Sequence, residues 1–215
     1  MKMIVTGGSS GIGRAVASEA RAQGWEVLAP ARAELELRDG ASIREFARRA
    51  SAWSGGRLDA LINNAGIARA GAVEELAIDD IREQFQVNVF GHVQITQQLL
   101  PALREARGHI VFISSDRART PVPLYGAYAA SKRALSGFAD ALALEVEPAG
   151  VTVSVLELGA YESNIRTAIR AQFDEIERSG TRYPELLREM RSRLGSPPLG
   201  DPAGAASAVL ALLKK

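Results

Sequence analysis

Short apolar runs alternate with amphipathic stretches along most of the chain. Runs rich in β-branched residues predict strands, and they cover residues 1–6, 25–29, 58–62, 109–114 and 151–156, with 34–37 as the stub of a further strand. Apolar residues spaced three and four apart predict helices, which cover residues 11–23, 78–106, 125–146 and 203–213. Strands between helices in this way are typical of a parallel sheet covered on both faces. We therefore expect an α/β fold with three layers and about six strands.

Capping signals place two of the helices. Ser42 and Glu45 form an S-x-x-E sequence, in which each side chain can bond the other residue's backbone N–H. The helical spacing behind this capping box continues up to Gly55. Asp201 and Pro202 precede the last predicted helix and are typical of a helix start.

Residues 159–198 differ from the alternating part. They are charged, rich in arginine, and interrupted by Ser179-Gly180 and by Pro184. This composition predicts two amphipathic helices outside the sheet layers, which we interpret as a lid over a substrate pocket. The apolar residues of the segment either face that pocket or pack on the body, and we expect most of them to pack; they are Ile165, Ile169, Phe173 and Ile176.

Composition excludes several classes of protein. The 215 residues are 47% hydrophobic, which suits one domain over residues 1–215. The net charge of +1 gives no field that would gather nucleic acid or an acidic membrane. With no cysteine and two histidines, disulfides and Cys- or His-based metal sites are excluded. No apolar run approaches a membrane span of about 18 residues, and the first predicted strand begins at Met1, so we expect a cytoplasmic protein without a signal peptide or a bound metal.

A glycine-rich loop lies between the first strand and the first helix. It reads TGGSSGIG from Thr6 to Gly13. A strand-to-helix turn directs backbone N–H groups and the helix dipole at one point, which suits a pyrophosphate. Gly7 allows the tight turn, Gly11 lets a phosphate approach, and Gly13 lets helix and strand pack closely. A flexible surface loop is the alternative interpretation.

Tyr128 and Lys132 are four residues apart in YAASK and therefore share a helix face. An ammonium beside a phenol favours the phenolate and lowers the tyrosine pKa, which makes a proton donor and acceptor. Four residues after Tyr125, by contrast, stands Ala129. Lys132 is also the one lysine away from the chain ends, the others being Lys2, Lys214 and Lys215. A solvated helix face is the alternative interpretation.

Polar residues follow two of the strands. Ser114-Ser115 end one strand and Asn63-Asn64-Ala65-Gly66 end another, and ligand sites of parallel sheets lie at such ends. A hydroxyl there can donate a hydrogen bond to a substrate oxygen that gains charge. Ordinary turn chemistry is the alternative interpretation.

Five motifs follow one another along the chain: TGGSSGIG, NNAG, Asn88 in VNVFG, ISS and YAASK. By their order and intervals, the chain resembles a short-chain dehydrogenase/reductase of the compact single-domain type. The resemblance covers residues 1–163 and, more weakly, the last helix. It implies a Rossmann-like doubly wound sheet and an oxidoreductase that interconverts a small-molecule carbonyl and an alcohol. The family's catalytic serine lies 13 residues before its tyrosine, which selects Ser115 because 128 − 13 = 115.

The resemblance also implies residue roles. Tyr128 would be the general acid/base, Ser115 would hold the substrate oxygen, Lys132 would bind the nicotinamide ribose, and Asn88 would hold a water that links Lys132 to solvent. A cap or kink of the long helix is the alternative for Asn88, and we interpret His92 and His109 as structural. The implied dinucleotide contacts are Gly7, Ser9, Ser10, Gly11, Ile12, Gly13, Arg32, Glu36, Leu37, Asn64, Ala65, Gly66, Tyr128, Lys132 and Ser163.

The end of the second strand bears on the choice of cofactor. Relatives that prefer NAD carry an acid there, whereas this chain has Ala31 followed by Arg32. Arg32 can pair with a 2′-phosphate, assisted by Ser9 and Arg14, so we expect NADP(H), with NAD(H) as the alternative. A surface arginine without a role is the other interpretation.

The chain departs from the family pattern at three points. Only Ala33–Leu35 separate Arg32 from the expected adenine site, where Glu36 replaces the usual Asp. Leu158-Gly159 stands where the family has Pro-Gly, and the family's final strand is missing. The family also implies a homodimer or homotetramer formed through the two long helices. Two other hypotheses remain open: a regulatory protein that binds a dinucleotide without turnover, and an enzyme of isomerisation or cyclisation.

Overall fold

A computed structural model of the chain describes residues 1–120, 122–161, 163–195 and 199–214. Its strands are β1 (Lys2–Val5), β2 (Glu26–Leu28), β3 (Ala60–Asn63), β4 (His109–Ser115) and β5 (Thr152–Leu158). Its α-helices are α1 (Gly11–Ala22), α2 (Gly40–Ser54), α3 (Ile78–Phe85), α4 (Gly91–Ala106), α5 (Gly126–Val146), α6 (Asn164–Ser179), α7 (Pro184–Gly195) and α8 (Pro202–Leu212).

All five strands form one parallel sheet in the order β2-β1-β3-β4-β5. Helices α2, α4 and α5 cover one face with residues such as Ile43, Leu103 and Leu135. Helices α1 and α8 cover the other face with residues such as Val16 and Val209. The predicted three-layer, doubly wound architecture is therefore confirmed. Because the chain leaves β1 in one direction for β2 and returns on the other side for β3, a crevice opens between the ends of β1 and β3.

The sheet contains five strands in the described residues, where about six were predicted. Residues 34–37 do not form the expected strand stub, because their backbone groups bond locally: the N–H groups of Glu34 and Leu35 donate to the carbonyl of Ala31 at 2.9 and 3.1 Å. Leu35 and Leu37 are buried in the core. The segment is thus a short connection whose two leucines pack into the core.

Helix α2 begins earlier than the capping box predicted. Its N-cap is Asp39, whose side chain accepts a hydrogen bond from the N–H of Ala41. The Ser42 hydroxyl instead accepts from the N–H of Glu36 at 3.0 Å, and Glu45 pairs with Arg48. The predicted capping box is therefore wrong. At α8, in contrast, Asp201 caps the helix by accepting from the N–H of Ala203.

The long helix predicted over 78–106 is divided. Its middle, Gln86–Phe90, is a π-helical turn between α3 and α4, and Asn88 lies in it. Such turns insert one residue into a helix and occur frequently at functional sites. Pro101 lies within α4. None of the helices that the structure describes is long and apolar enough to cross a membrane.

The predicted lid contains the two expected helices, α6 and α7, outside the sheet layers. They pack on each other and on the body in a third apolar cluster that includes Phe173, Leu187 and Tyr125. Two hydrogen bonds of Gln172 fix α6 to the loop after β3, to the carbonyl of Ala68 at 3.0 Å and the N–H of Ala70 at 2.8 Å. Part of the predicted lid, residues 162 and 196–198, lies outside the described residues.

Candidate active site

A cavity of about 700 Å³ follows the carboxyl ends of the strands. It begins at the 30–38 connection, passes the glycine loop and the end of β3, and ends between Tyr128 and the lid. Most of the residues predicted to form a site line it together: Gly7, Ser9, Ser10, Gly11, Ile12, Arg32, Glu36, Leu37, Asn64, Ala65, Gly66, Ser115, Tyr128, Lys132 and Ser163. Gly13 and Asn88 support this lining from behind. Arg14 lies on α1 outside the lining residues.

The glycine loop forms a cradle of bare backbone. Gly7 has a φ of +66°, and a Cβ on it would lie 2.9 Å from the Cα of Ala65. A Cβ on Gly13 would lie 2.4 Å from the carbonyl oxygen of Gly7 and from Nδ2 of Asn64. Gly11, at φ +51°, instead has open space before it up to Ser163 at 3.9 Å. Gly13 is thus required for packing, whereas Gly11 keeps the cavity open at the N-terminus of α1.

That N-terminus suits an anionic ligand. The N-cap residue of α1 is Ser10, which makes no side-chain capping bond, so the helix end directs backbone donors at the open space before Gly11. The cavity is also within the size range of cofactor sites. The residues present therefore fit a dinucleotide with its pyrophosphate at the glycine loop.

Thr6 joins the ends of β1 and β3, and the sequence analysis missed it. Its hydroxyl accepts hydrogen bonds from the N–H groups of Asn64 at 2.9 Å and Ala65 at 3.1 Å. The amide of Asn64 returns a bond to the carbonyl of Thr6 at 2.9 Å. The first letter of TGGSSGIG could have indicated this, since a threonine at a strand end commonly bonds neighbouring backbone.

Two buried side chains hold the loop after β3 from below. Asn88 accepts from the N–H of Ile67 at 2.9 Å and donates to the carbonyl of Ile67 at 3.0 Å and to the Ser131 hydroxyl at 3.1 Å. His92 bonds the carbonyl of Ala65 through Nε2 at 2.7 Å. Complete burial lowers the pKa of His92 to about 4, so the ring is neutral and serves as a support for the loop.

Gly66 separates Asn88 from Lys132. A Cβ on Gly66 would lie 3.4 Å from Oδ1 of Asn88 and 3.8 Å from Nζ of Lys132. Without that side chain, a gap lined by an amide oxygen and an ammonium remains between the two residues.

Ser115, Tyr128 and Lys132 meet at the far end of the cavity. Ser115 donates to the carboxylate of Asp116 at 3.1 Å. The Lys132 ammonium donates to the carbonyl of Ile113 at 2.8 Å and lies 5.9 Å from the centre of the Tyr128 ring. The Ser114 hydroxyl is bonded instead to Ser136 on α5 at 3.1 Å.

The pKa of Tyr128 moves in the direction opposite to the one predicted. Burial raises it to about 12, and the hydrogen bond with the Ser115 hydroxyl and the positive charge of Arg117 oppose this rise only in part. Burial also lowers the pKa of Lys132 to about 8, which weakens the ammonium that was expected to favour the phenolate. Desolvation therefore outweighs the neighbouring charge in this cavity.

At the other end of the cavity, Arg32 belongs to an ion-pair network. Glu36 binds Nε of Arg32 at 2.9 Å and the terminal nitrogen of Arg38 at 2.7 Å. Arg38 also binds Glu83 at 2.8 Å, and Glu83 binds Arg69. The hydrogen bond from Arg38, with lesser help from Arg32, lowers the pKa of Glu36 to about 2. No sequence signal separated Arg38 and Glu83 from the other charged residues, because their pairing depends on the docking of α3.

Comparisons with known proteins decide the family. Residues 31–174 match the family model described as short chain dehydrogenase. The chain belongs to the short-chain dehydrogenase/reductase family. Matched relatives of the family are named oxidoreductases and dehydrogenases, and the chain is an NAD(P)-dependent enzyme of this family. Among the described residues, His, Asp and Glu side chains form no group of three that could hold a metal.

Members of the short-chain dehydrogenase/reductase family resemble the chain over its length. An uncharacterised oxidoreductase of Bacillus subtilis, YusZ, is 30% identical over 99% of this chain and 84% of its own. A short-chain dehydrogenase from Streptomyces avermitilis has a TM-score of 0.85 at 32% identity, over 100% of this chain and 84% of its own. A short-chain dehydrogenase from Burkholderia cenocepacia, solved in complex with NADP, has a TM-score of 0.77 at 29% identity, over 98% of this chain and 89% of its own. The chain spans less than two thirds of several other curated relatives, down to 39%.

Proposed function

We propose that this enzyme interconverts a carbonyl and an alcohol with NADP(H), and that Tyr128 is its general acid/base. The observation that carries the proposal is the meeting of Ser115, Tyr128 and Lys132 at one end of a cavity whose other end is the glycine loop. NADP(H), when bound, supplies or accepts the hydride.

The positions of the residues support the roles that we propose for them. Ser115 donates a hydrogen bond to the substrate oxygen, which gains charge as the carbonyl is reduced. Tyr128 donates its phenolic proton to that oxygen, and in the reverse direction takes it back. Its raised pKa keeps the phenol protonated, which suits the reducing direction. Lys132 binds the nicotinamide ribose, and its lowered pKa lets it pass a proton to Tyr128 near neutral pH.

Asn88 has two roles in this proposal. Its side-chain amide holds the backbone of Ile67, and its Oδ1 faces Lys132 across the gap at Gly66. A water in that gap would accept from Lys132 and donate to Asn88, which would connect the ammonium with solvent.

For the preference between NADP(H) and NAD(H), the network at Arg32 supports the phosphorylated cofactor. Arg32 and Arg38 both bond Glu36, and Arg38 also bonds Glu83. Arg32 makes its pair through Nε and is 64% exposed, so its terminal nitrogens can donate to a phosphate. A 2′-phosphate would find two guanidinium groups at this end.

We also propose that residues 1–215 act as one catalytic domain with 159–198 as the lid, and that the enzyme is a homodimer or homotetramer. Phe138 and Leu144 on α5 and Phe90 before α4 expose 48%, 74% and 52% of their surfaces. Exposed apolar side chains on the two long helices suit a contact between copies. Light scattering on the purified protein tests the assembly, and a monomer at all concentrations would contradict it.

The function itself is tested by following nicotinamide absorbance while NADPH and a panel of ketones and aldehydes are mixed with the enzyme. We expect NADPH oxidation that depends on both enzyme and carbonyl compound, together with saturable NADPH binding. Binding without turnover by any carbonyl or alcohol would favour the regulatory alternative.

A further inference from the structure

The Tyr128 end of the cavity has apolar walls, and Arg117, Arg166 and Arg193 bring positive charge to it. Arg166 is buried and donates to the carbonyl of Leu194. The walls come from the lid and from the segment before α5: Val122, Tyr125, Ile165, Ile169, Met190 and Leu194. Arg117 lines the same end, two residues after Ser115, and 34% of its side chain is exposed. Its backbone N–H donates to the Ser115 hydroxyl at 3.3 Å, so the turn that carries Ser115 also fixes the position of Arg117.

Arg117 differs from other arginines of the cavity in its ion pairing. Arg32, Arg38, Arg69 and Arg193 each have a carboxylate within 3.0 Å. Nε of Arg117 lies 3.6 Å from the nearest carboxylate oxygen, on Asp116, and that same oxygen accepts the hydrogen bond of Ser115. In the part of the chain that the structure describes, Arg117 makes no other side-chain ion pair or hydrogen bond. The guanidinium is therefore left with donors for a further anion.

The charge of Arg117 reaches the reacting groups. It lowers the pKa of both Tyr128 and Tyr125, although burial outweighs it at each. A guanidinium has five N–H donors, so Arg117 can keep Asp116 at Nε and bind a carboxylate through its two terminal nitrogens.

We propose that the substrate is an oxo acid, whose carboxylate is bound by Arg117 while its carbonyl oxygen lies between Ser115 and Tyr128. This inference rests on the proposed function. The carbonyl carbon gains a hydride from NADPH and the carbonyl oxygen gains the proton of Tyr128, which gives the hydroxy acid and NADP⁺; the carboxylate is unchanged. The apolar walls then contact the hydrocarbon part of the substrate.

The test compares 2-oxo, 4-oxo and 5-oxo acids with their own methyl esters, which keep the carbon skeleton and lose the charge. For at least one pair, we expect wild-type enzyme to have a kcat/KM about tenfold to a hundredfold higher for the acid, the range typical of a hydrogen bond to a charged group. Arg117→Met should bring the acid-to-ester ratio close to one by raising KM for the acid, and Arg117→Lys should restore part of it.

Arg119→Met is the matched control, because Arg119 follows in the same segment, is 79% exposed and pairs with Glu157. It should keep the wild-type ratio. An equal kcat/KM for acid and ester in wild type, or a ratio that Arg117→Met leaves unchanged, would overturn the inference while the proposed function stands. NADPH titration by fluorescence provides a further criterion: a tenfold weaker Kd in Arg117→Met would place Arg117 on the cofactor and overturn the inference too.

If no carbonyl compound is turned over, the proposed function fails, and calorimetry of the same oxo acids with the NADPH complex decides the inference separately. Saturable binding that Arg117→Met abolishes and Arg119→Met keeps would support the part of the inference that places a carboxylate at Arg117. Absence of binding in wild type would contradict it.

Discussion

The side chain of Asn88 satisfies both backbone groups of Ile67, accepting from its N–H at 2.9 Å and donating to its carbonyl at 3.0 Å. Asn88 is completely buried and lies in the π-helical turn Gln86–Phe90. Through this one amide, the helix on one face of the sheet holds the loop that borders the cofactor cavity.

Asn88→Ala should therefore lower the free energy of unfolding by about 1–3 kcal/mol, because the N–H of Ile67 loses its bond to Asn88. The carbonyl of Ile67 keeps its bond from Gln84, and the Ser131 hydroxyl keeps its bond to Tyr128. Denaturant unfolding measures this. Asn164→Ala is the control, since Asn164 is exposed and its amide donates to the Ser10 hydroxyl at 3.2 Å; its effect should stay within about 0.5 kcal/mol. Equal stabilities of the two variants would contradict the role of Asn88.

Gly13 and Gly137 should respond in opposite ways to the same substitution. Gly13→Ala places a Cβ 2.4 Å from the carbonyl oxygen of Gly7, so the cradle must shift, and we expect a loss of about 1–3 kcal/mol and weaker NADPH binding. Gly137 lies within α5 with nothing within 4 Å of a Cβ, and Gly137→Ala should add about 0.5–1 kcal/mol. Thermal unfolding of both variants checks the pair; a Gly13→Ala protein as stable as wild type would show that the contact is not tight.

Arg32→Ala should reduce the preference for NADPH over NADH about tenfold, because one charge-assisted bond to the 2′-phosphate is lost. The ratio of kcat/KM for the two cofactors measures it. Arg48→Ala, which removes another exposed, ion-paired arginine on α2, should leave that ratio unchanged. An unchanged ratio in Arg32→Ala would contradict the proposed preference for NADP(H).

Glu36 should contribute to the acid sensitivity of the fold. Its pKa is about 2 in the folded protein against an ordinary 4.5, so below pH 4.5 the unfolded chain binds the additional proton. The contribution is complete above about pH 5 and is lost as the pH falls towards 2. Because the ion pairs are partly exposed, we expect about 1–3 kcal/mol. Unfolding curves from pH 6 to pH 3 should fall less steeply for Glu36→Gln than for wild type, and parallel curves would contradict this account.

Sequence reasoning found the layers and most of the cavity lining because both depend on local signals. Apolar runs mark strands, and Gly7, Gly11, Ser115 and Tyr128 stand near the ends of β1, α1, β4 and α5 that converge at one edge of the parallel sheet. Lys132 lies one turn after Tyr128 on α5. The structure gives the positions of the predicted dinucleotide contacts and of Asn88, Ser115, Tyr128 and Lys132, while the roles of all these residues stay predictions.

The features that sequence reasoning missed depend on contacts between residues that are far apart in the chain. The pairing of Arg38 with Glu83 joins residues 45 positions apart, and the connection at 34–37 is held by bonds to Ala31 and Ser42 rather than by a neighbouring strand. The pKa of Tyr128 depends on everything that covers the ring, including the lid, and four-residue spacing to Lys132 says nothing about that burial.

The central claim is that Tyr128 transfers the proton. The measurement that tests it most directly is the kcat of NADPH-dependent carbonyl reduction in Tyr128→Phe, with NADPH binding followed by fluorescence. The control is Tyr183→Phe, since Tyr183 is a partly exposed tyrosine whose hydroxyl bonds Glu74. We predict that kcat falls about 10²- to 10⁴-fold in Tyr128→Phe, while NADPH binding and the control remain within about twofold of wild type. A Tyr128→Phe enzyme that turns over substrate as fast as wild type would contradict the mechanism.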